Sequence, residues 1–303
     1  MIRWLFICFS AWSTLAHASP NDFYSHWSDG QAEVSGYALT MPRYGALRQG
    51  HAVAIYVTEP FSRKAAVKVD RYENNNPDHI IALKLNLVTK FQTGVYDYSV
   101  MTSVFSNPNA QMQPLKQSFS SQEWCGQVYE EIRYDQTGLT VDTKSYFEGE
   151  TAVERIERKN VVSADTLWLM GRGLTVGGPG QGSLPDSLVA SSTQRRLKHR
   201  PVRVYDGGAR WADAESKITV PAGSFKVRAL HWQRADGVQC VIRFEVAPPH
   251  RVIAWSCADG TDAKMTGSLR TPYWQRSRLG DERMLRALGL PVPAYPPGVP
   301  SRR

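Results

Sequence analysis

Five glutamates, Glu123, Glu130, Glu131, Glu148 and Glu150, fall on adjacent strand-like segments in the middle of the chain. Two carboxylates facing each other across a cleft are what glycoside hydrolysis needs, one as acid and one as base or nucleophile. Carboxylates on neighbouring strands serve equally as solvated edges and ion-pair partners, so a hydrolase stands here as an alternative reading. Ser120-Ser121-Gln122-Glu123-Trp124-Cys125-Gly126 is the most site-like stretch, with hydroxyl, amide, carboxylate, indole and thiol close together. The same composition fits a strand that ends in a bulge at Gly126. Glu123, Trp124 and Cys125 are therefore candidates to face a ligand, and so are Trp27, Tyr96 and Tyr98. Tyrosines and tryptophans that alternate with polar residues line carbohydrate- and lipid-facing surfaces, although the core of a large sheet uses them too.

Arg195-Arg196, Lys198 and Arg200 form the sharpest basic cluster, suited to a polyanion such as a phosphate-bearing lipid or, more simply, to solvent. His26, His51, His79, His199, His231 and His250 show no pairing at metal-ligand spacing, and there is no C-x-x-C, so no metal is assigned. Nucleophile-elbow, zincin, P-loop and dinucleotide motifs are absent. The run Gly177-Gly178-Pro179-Gly180-Gln181-Gly182 lacks the lysine and hydroxyl of a P-loop and reads as a linker between two halves. No catalytic residue and no cofactor follows from these residues.

The elements that must hold such side chains begin after an export signal. Arg3 supplies a positive n-region, Trp4 to Trp12 an apolar stretch, and Ala16-His17-Ala18 a small-x-small cleavage site, so residues 1–18 read as a signal peptide. The apolar stretch falls well short of the roughly 20 residues of a membrane-spanning helix, and no other segment reaches that length. Cys8 lies inside the apolar stretch, after Ile7, where a lipoprotein signal does not place its cysteine. The expected location is the periplasm or the periphery of an outer membrane. The formal charge of +8 then points to lipid, lipopolysaccharide, glycan or an envelope protein as partner, and nucleic acid is set aside.

In an oxidising compartment two of Cys125, Cys240 and Cys257 should pair. Val238–Val246 and Arg251–Ser256 read as strands folded about Pro248-Pro249, which sets Cys240 opposite Cys257 and predicts a cross-strand bridge. Cys125 is left as a buried small residue on a strand, with a reactive thiol or an intermolecular bridge as alternatives.

Period-two alternation with turn punctuation repeats along the chain, clearest in Ile80–Phe91, where Leu83, Leu85 and Leu87 share one face. The expected fold is mainly β: a large curved antiparallel sheet, half-barrel or clam-like, with two short helices at Ala164–Arg172 and Gly280–Leu288. Residues 19–160 form an N-terminal β half and 161–290 a C-terminal half of the same or a closely packed domain. Residues 291–303 form a proline-rich tail.

Two stretches carry resemblances. Trp27 to Glu33, Arg43-Tyr44-Gly45, Ile55 to Phe61, Ser120 to Gly126 and Tyr146-Phe147-Glu148-Gly149 resemble an uncharacterised family of exported bacterial β-rich proteins. Its members are sometimes labelled "septum formation inhibitor Maf". That label implies a cytoplasmic nucleotide pyrophosphatase whose S-x-S-x-R-R opening is missing here; Ser191 to Arg196 is a mid-chain echo. Ile218 to Val227, with Pro221-Ala222-Gly223-Ser224-Phe225 at its centre, is similar to a strand–turn–strand unit of periplasmic β-sheet proteins of unknown function. The second resemblance implies a curved sheet and bears on fold alone. The export signal, the alternating strands and the lack of a nucleophile, metal or cofactor motif point to a non-catalytic envelope protein whose curved sheet binds a lipid, glycan or partner protein. A structural scaffold with no small ligand is a further alternative.

Overall fold

The computed structural model describes residues 20–206 and 208–293, so residues 1–18, expected to be a signal peptide, and most of the 291–303 tail lie outside it. The N-terminal half supplies β1 (Ala32–Arg43), β2 (Ala46–Ser62), β3 (Val67–Lys68), β4 (His79–Thr93), β5 (Tyr96–Asn107), β6 (Gln113–Glu123), β7 (Gly126–Tyr134), β8 (Leu139–Ser145) and β9 (Ala152–Ile156). The C-terminal half supplies β10 (Val161–Ser163), β11 (Ser187–Val189), β12 (Val204–Asp206), β13 (Ala209–Trp211) and β14 (Ser216–Val220). It continues with β15 (Gly223–Gln233), β16 (Gln239–Glu245), β17 (Val252–Cys257) and β18 (Asp262–Thr271).

Fifteen of these strands form one curved antiparallel sheet, ordered β13-β15-β16-β17-β18-β1-β2-β4-β5-β6-β7-β8-β9 with β14 paired to β15 and β3 to β2 off this path, and it does not close into a barrel. The two halves are one sheet because β18 returns to pair with β1, from Ala32 opposite Thr271 to Thr40 opposite Asp262. The Gly177–Gly182 run is accordingly a packed loop and no linker: Gly178 donates its N–H to the Gly173 carbonyl at 2.9 Å, and its Cα lies against the His250 ring.

Alternation decides which face is inside. Leu230, Ile242, Trp255, Ala263 and Leu39 stand directly opposite one another across β15, β16, β17, β18 and β1, and all are buried. Leu83 and Leu85 continue this inner face on β4. It is covered by residues 161–206, which carry the small sheet β10-β11-β12 and pack Val162, Leu167, Trp168, Leu169 and Leu188 into the same core. In the β14–β15 turn Gly223 adopts φ +132° and Phe225 packs against the core, as the turn chemistry of that motif requires.

The helices differ in part from expectation. Ser163 caps its helix by accepting the Asp165 N–H, but the segment splits into a 3-10 turn, Ala164–Thr166, and a short α-helix, Leu167–Met170. Asp281–Leu288 is a 3-10 helix. Two further α-helices, Pro20–Trp27 and Ser192–Leu197, were masked in the sequence by their reading as aromatic and basic clusters. Phe23 and Trp27, one helical turn apart, bury one face of the first.

The outer face of β1 and β18 is covered by the Asp281–Leu288 segment. Gly36 and Gly267 oppose each other, and a Cβ on either would lie 2.2 Å or 2.1 Å from a carbonyl oxygen of that segment. Only glycine lets backbone approach sheet this closely, and Leu288 and Leu290 then close over Val34 and Val57.

The bridge expected from the hairpin is present: Cys240 and Cys257 are register partners on β16 and β17 and are disulfide-bonded. They are 17 positions apart, and opening the bridge is expected to cost about 3 kcal/mol through the freedom it restores to the unfolded chain. Urea unfolding with and without reductant, or of the Cys240→Ser/Cys257→Ser pair, measures that loss.

Candidate functional site

Between the inner face and the covering segment lies a cavity of about 540 Å³. Its deep wall is apolar: Leu39 of β1, Leu87 of β4, Trp232 of β15, Trp255 of β17 and Trp168 of the Leu167–Met170 helix. The three indoles are mutually braced, with Trp168 edge-on to Trp232 at 5.6 Å and to Trp255 at 6.1 Å. The indole N–H groups of Trp168 and Trp232 are buried and find no acceptor among the described residues. This apolar wall suits a mostly hydrocarbon molecule, with Asp165, Ser191 and Thr193 supplying polar groups elsewhere in the lining.

The mouth is formed by the β1–β2 turn, by Leu197 and Lys198 at the end of the Ser192–Leu197 helix, and by Asp259 and Thr261 of the β17–β18 turn. Arg43 fastens helix to sheet here. It donates to the Leu197 carbonyl and, at 2.8 Å and 3.0 Å, to the hydroxyls of Tyr98 and Tyr44. Across the mouth Arg234 is paired with Asp259 and, at 2.6 Å, with Asp236. Burial would raise the Asp259 carboxyl, but the Thr261 N–H and the Arg234 guanidinium hold it below the usual carboxylate range.

Behind the cavity wall a buried polar network ties the covering segment to the sheet. Ser192 donates to Glu130 at 2.6 Å, Arg195 pairs with the same carboxylate, and Thr143 donates to its other oxygen at 3.1 Å. Gln117 donates to both Asp165 and Ser192 at 2.8 Å. Burial pushes the Asp165 carboxyl above its ordinary value, against the bonds it accepts from Ser191, Ser192 and Gln117.

The structure separates the residues singled out from sequence. Trp27 is buried, with Arg172 5.4 Å and Arg270 5.1 Å from its ring, and is not among the residues lining this cavity. Tyr98 is also buried, stacked on Phe91 at 4.8 Å, and touches the mouth through hydroxyl bonds with Arg43 and Tyr44. Tyr96 and Trp124 do come together, with ring centroids 6.3 Å apart on adjacent hairpins. Cys125 is exposed on the β6–β7 turn, not buried as expected. The bond from Glu123 pushes its thiol up, the wrong direction for a reactive thiolate. Glu123 turns inward instead, accepting the Cys125 N–H at 2.7 Å and facing Arg196 at 3.5 Å.

The basic cluster is likewise divided. Arg195 and Arg196 are buried, the first on Glu130 and the second over the Phe147 ring at 3.9 Å, so neither is free to meet a polyanion. Helical spacing turns them inward, where carboxylates of β6 and β7 compensate their charge. Lys198 is exposed but paired with Asp236 at 2.6 Å, and Arg200 is exposed.

A second cleft of about 480 Å³ gathers Glu130, Glu148, Glu150 and Glu154 beside Arg195, Arg196 and His199. Glu130 is consumed by Arg195 and Ser192, and Glu150 bonds His199 at 2.5 Å and Ser145 at 2.7 Å. Burial would raise Glu150, but Ser145 and His199 draw its carboxyl below the usual range, opposite to what a general acid needs. No group of three or more potential metal ligands occurs among the described residues. Among them, too, no helix is long and apolar enough to cross a membrane.

Sequence reasoning missed the cavity residues themselves. Trp232 sits opposite Cys240 and Trp255 two positions before Cys257, so the predicted bridge already carried the register that puts both indoles on the inner face. Trp168 gave no such signal, because a residue covering a sheet from another segment has no local period. Compared with family models and with curated proteins, the chain finds no match.

Proposed function

We propose that this is a non-catalytic binding protein of the cell envelope that holds the hydrocarbon part of a lipid beneath its curved sheet. The observation that carries this reading is the cavity walled by Trp168, Trp232, Trp255, Leu39 and Leu87. Its volume falls within the roughly 300–1,000 Å³ of small-molecule sites. The export signal in the sequence and the disulfide accord with an envelope location, and the resemblance of Ile218–Val227 to curved periplasmic sheets points the same way. The hydrolase alternative lacks support in the central cleft, where Glu123, Glu130 and Glu150 are held by basic partners.

The test is displacement of a naphthylamine probe by long-chain fatty acid and by lysophospholipid, with Leu87→Trp as the cavity-filling variant. Leu87 lies on the wall and is only partly buried, so the larger ring enters the cavity without displacing core. The variant is expected to lose roughly tenfold in affinity, about 1.4 kcal/mol, while keeping its circular dichroism. Equal affinity in both proteins, or no probe binding in either, would overturn the reading. Native mass spectrometry of protein taken from its own envelope then identifies the molecule carried.

A further inference from the structure

The registers of the large sheet bring six turns to one end: β1–β2, β4–β5, β6–β7, β8–β9, β15–β16 and β17–β18. Hairpin tips are ordinarily polar, because Gly, Asn, Asp and Ser meet both the backbone geometry and the solvent. Four consecutive tips here carry a large apolar side chain in the open. Tyr44 is 57% exposed, Val95 79%, Trp124 72% and Tyr146 70%, and Leu47 beside the first is 57% exposed. At the opposite end Val67, Tyr72, Trp274 and Leu279 are only 39–49% exposed and sit outside the tight hairpins. From these observations we infer that the row of tips is a docking rim for a lipid surface.

Two features select a lipid surface over a protein partner. The tips recur every two strands, about 9.5 Å apart along the rim, and rings join them into one row: Tyr96 lies 6.3 Å from Trp124, and the Tyr146 ring lies against Gly126 of the next turn. Tyrosine and tryptophan are also the residues that settle at the headgroup level, with ring in the hydrocarbon and polar atom in the headgroups. The charge behind the tips complements anionic headgroups. Arg43, Arg48, Lys90 and Arg200 have no carboxylate partner among the described residues, against Asp97, Glu148 and Glu154 as the acids near the tips without a basic one.

Tyr44 and Leu47 belong both to this rim and to the cavity mouth. A protein seated on its tips therefore presents the cavity entrance to the bilayer, so that a chain can pass between the two without crossing water. Docking itself does not require the cavity to be occupied, and the two readings fail separately.

The experiment compares the full chain with a rim variant, Val95→Gln/Trp124→Gln/Tyr146→Gln, whose substituted side chains are largely exposed and lie outside the cavity lining, and whose fold is checked by circular dichroism. Co-sedimentation is measured with vesicles of pure phosphatidylcholine and of equimolar phosphatidylcholine and phosphatidylglycerol. The wild-type chain is expected to bind the mixed vesicles more tightly than the neutral ones, and the variant to lose roughly tenfold or more on both. In the single variant Trp124→Gln, loss of the vesicle-induced blue shift in emission places that indole in the interface. Binding that the rim variant retains, or no binding of the wild-type chain to either vesicle, overturns the docking rim. Probe binding in the absence of vesicles reads the cavity alone, so a variant that keeps its probe but loses its vesicles supports the rim.

Discussion

Replacing Arg172 with methionine is expected to destabilise the protein by about 3–5 kcal/mol. Arg172 follows the Leu167–Met170 helix and is completely buried, and Glu33 of β1 is 2% exposed. The pair is bidentate, at 2.9 Å and 2.8 Å, and the guanidinium also donates to the Pro249 carbonyl at 2.7 Å. Its carbon lies 4.3 Å from the centre of the Tyr56 ring. Burial alone would weaken the charged form of Arg172, but the Glu33 carboxylate outweighs it and holds the guanidinium above its ordinary value.

Removing the arginine leaves a carboxylate in the core with nothing to neutralise it, and that uncompensated charge is the cost. The double variant Arg172→Met/Glu33→Leu should therefore recover most of the loss, since a buried ion pair is commonly no more stabilising than apolar residues of the same volume. Arg172→Lys is expected to fall between, because an ammonium cannot reproduce the fork. Urea unfolding midpoints of the four proteins check the order. A double variant no more stable than Arg172→Met would show that the arginine acts through packing on Tyr56 instead.

Glu130→Ala is expected to cost a similar 3–5 kcal/mol and, unlike the first change, to alter the cavity. Glu130 on β7 is the only carboxylate bonded to Arg195 among the described residues, and it accepts from Ser192 as well. Both residues belong to the Ser192–Leu197 helix, which also contributes Thr193, Gln194 and Leu197 to the cavity wall. Without the glutamate the helix keeps a buried, unpaired guanidinium and is pushed off the sheet. Amide exchange across residues 192–197 should accelerate, and a bound probe should dissociate faster. Glu130→Gln keeps an acceptor for Ser192 and Thr143 and is expected to lose less. Unchanged exchange in Glu130→Ala would mean that Arg43, through its bonds to Leu197 and Tyr98, is the anchor that holds the helix.

Much of the sheet was readable from residues alone. Leu83, Leu85 and Leu87 declared a face of β4 because side chains on a strand alternate with period two, and the proline turn after β16 placed Cys240 opposite Cys257 before any coordinates. Exposure was harder. Arg195, Arg196 and Glu123 are charged and lie close to turns, which favours solvent, yet each is buried against a partner from another element. Cys125 failed in the other direction, because the β6–β7 hairpin closes one residue earlier than its apolar neighbours suggested.

Strand positions, turns and the disulfide register are local properties, set within a few residues by steric alternation and backbone freedom. The cover over the inner face, the inward arginines and the cavity between them are not. Glu33 and Arg172 are 139 positions apart and Glu130 and Arg195 are 65 apart, and nothing in either neighbourhood specifies its partner. The apolar tips lie between these cases: each was visible as a residue, but only the sheet registers lined them up at one end. A face that alternation makes apolar must be covered, but the segment that covers it, and the space it leaves, are decided only when the whole chain packs.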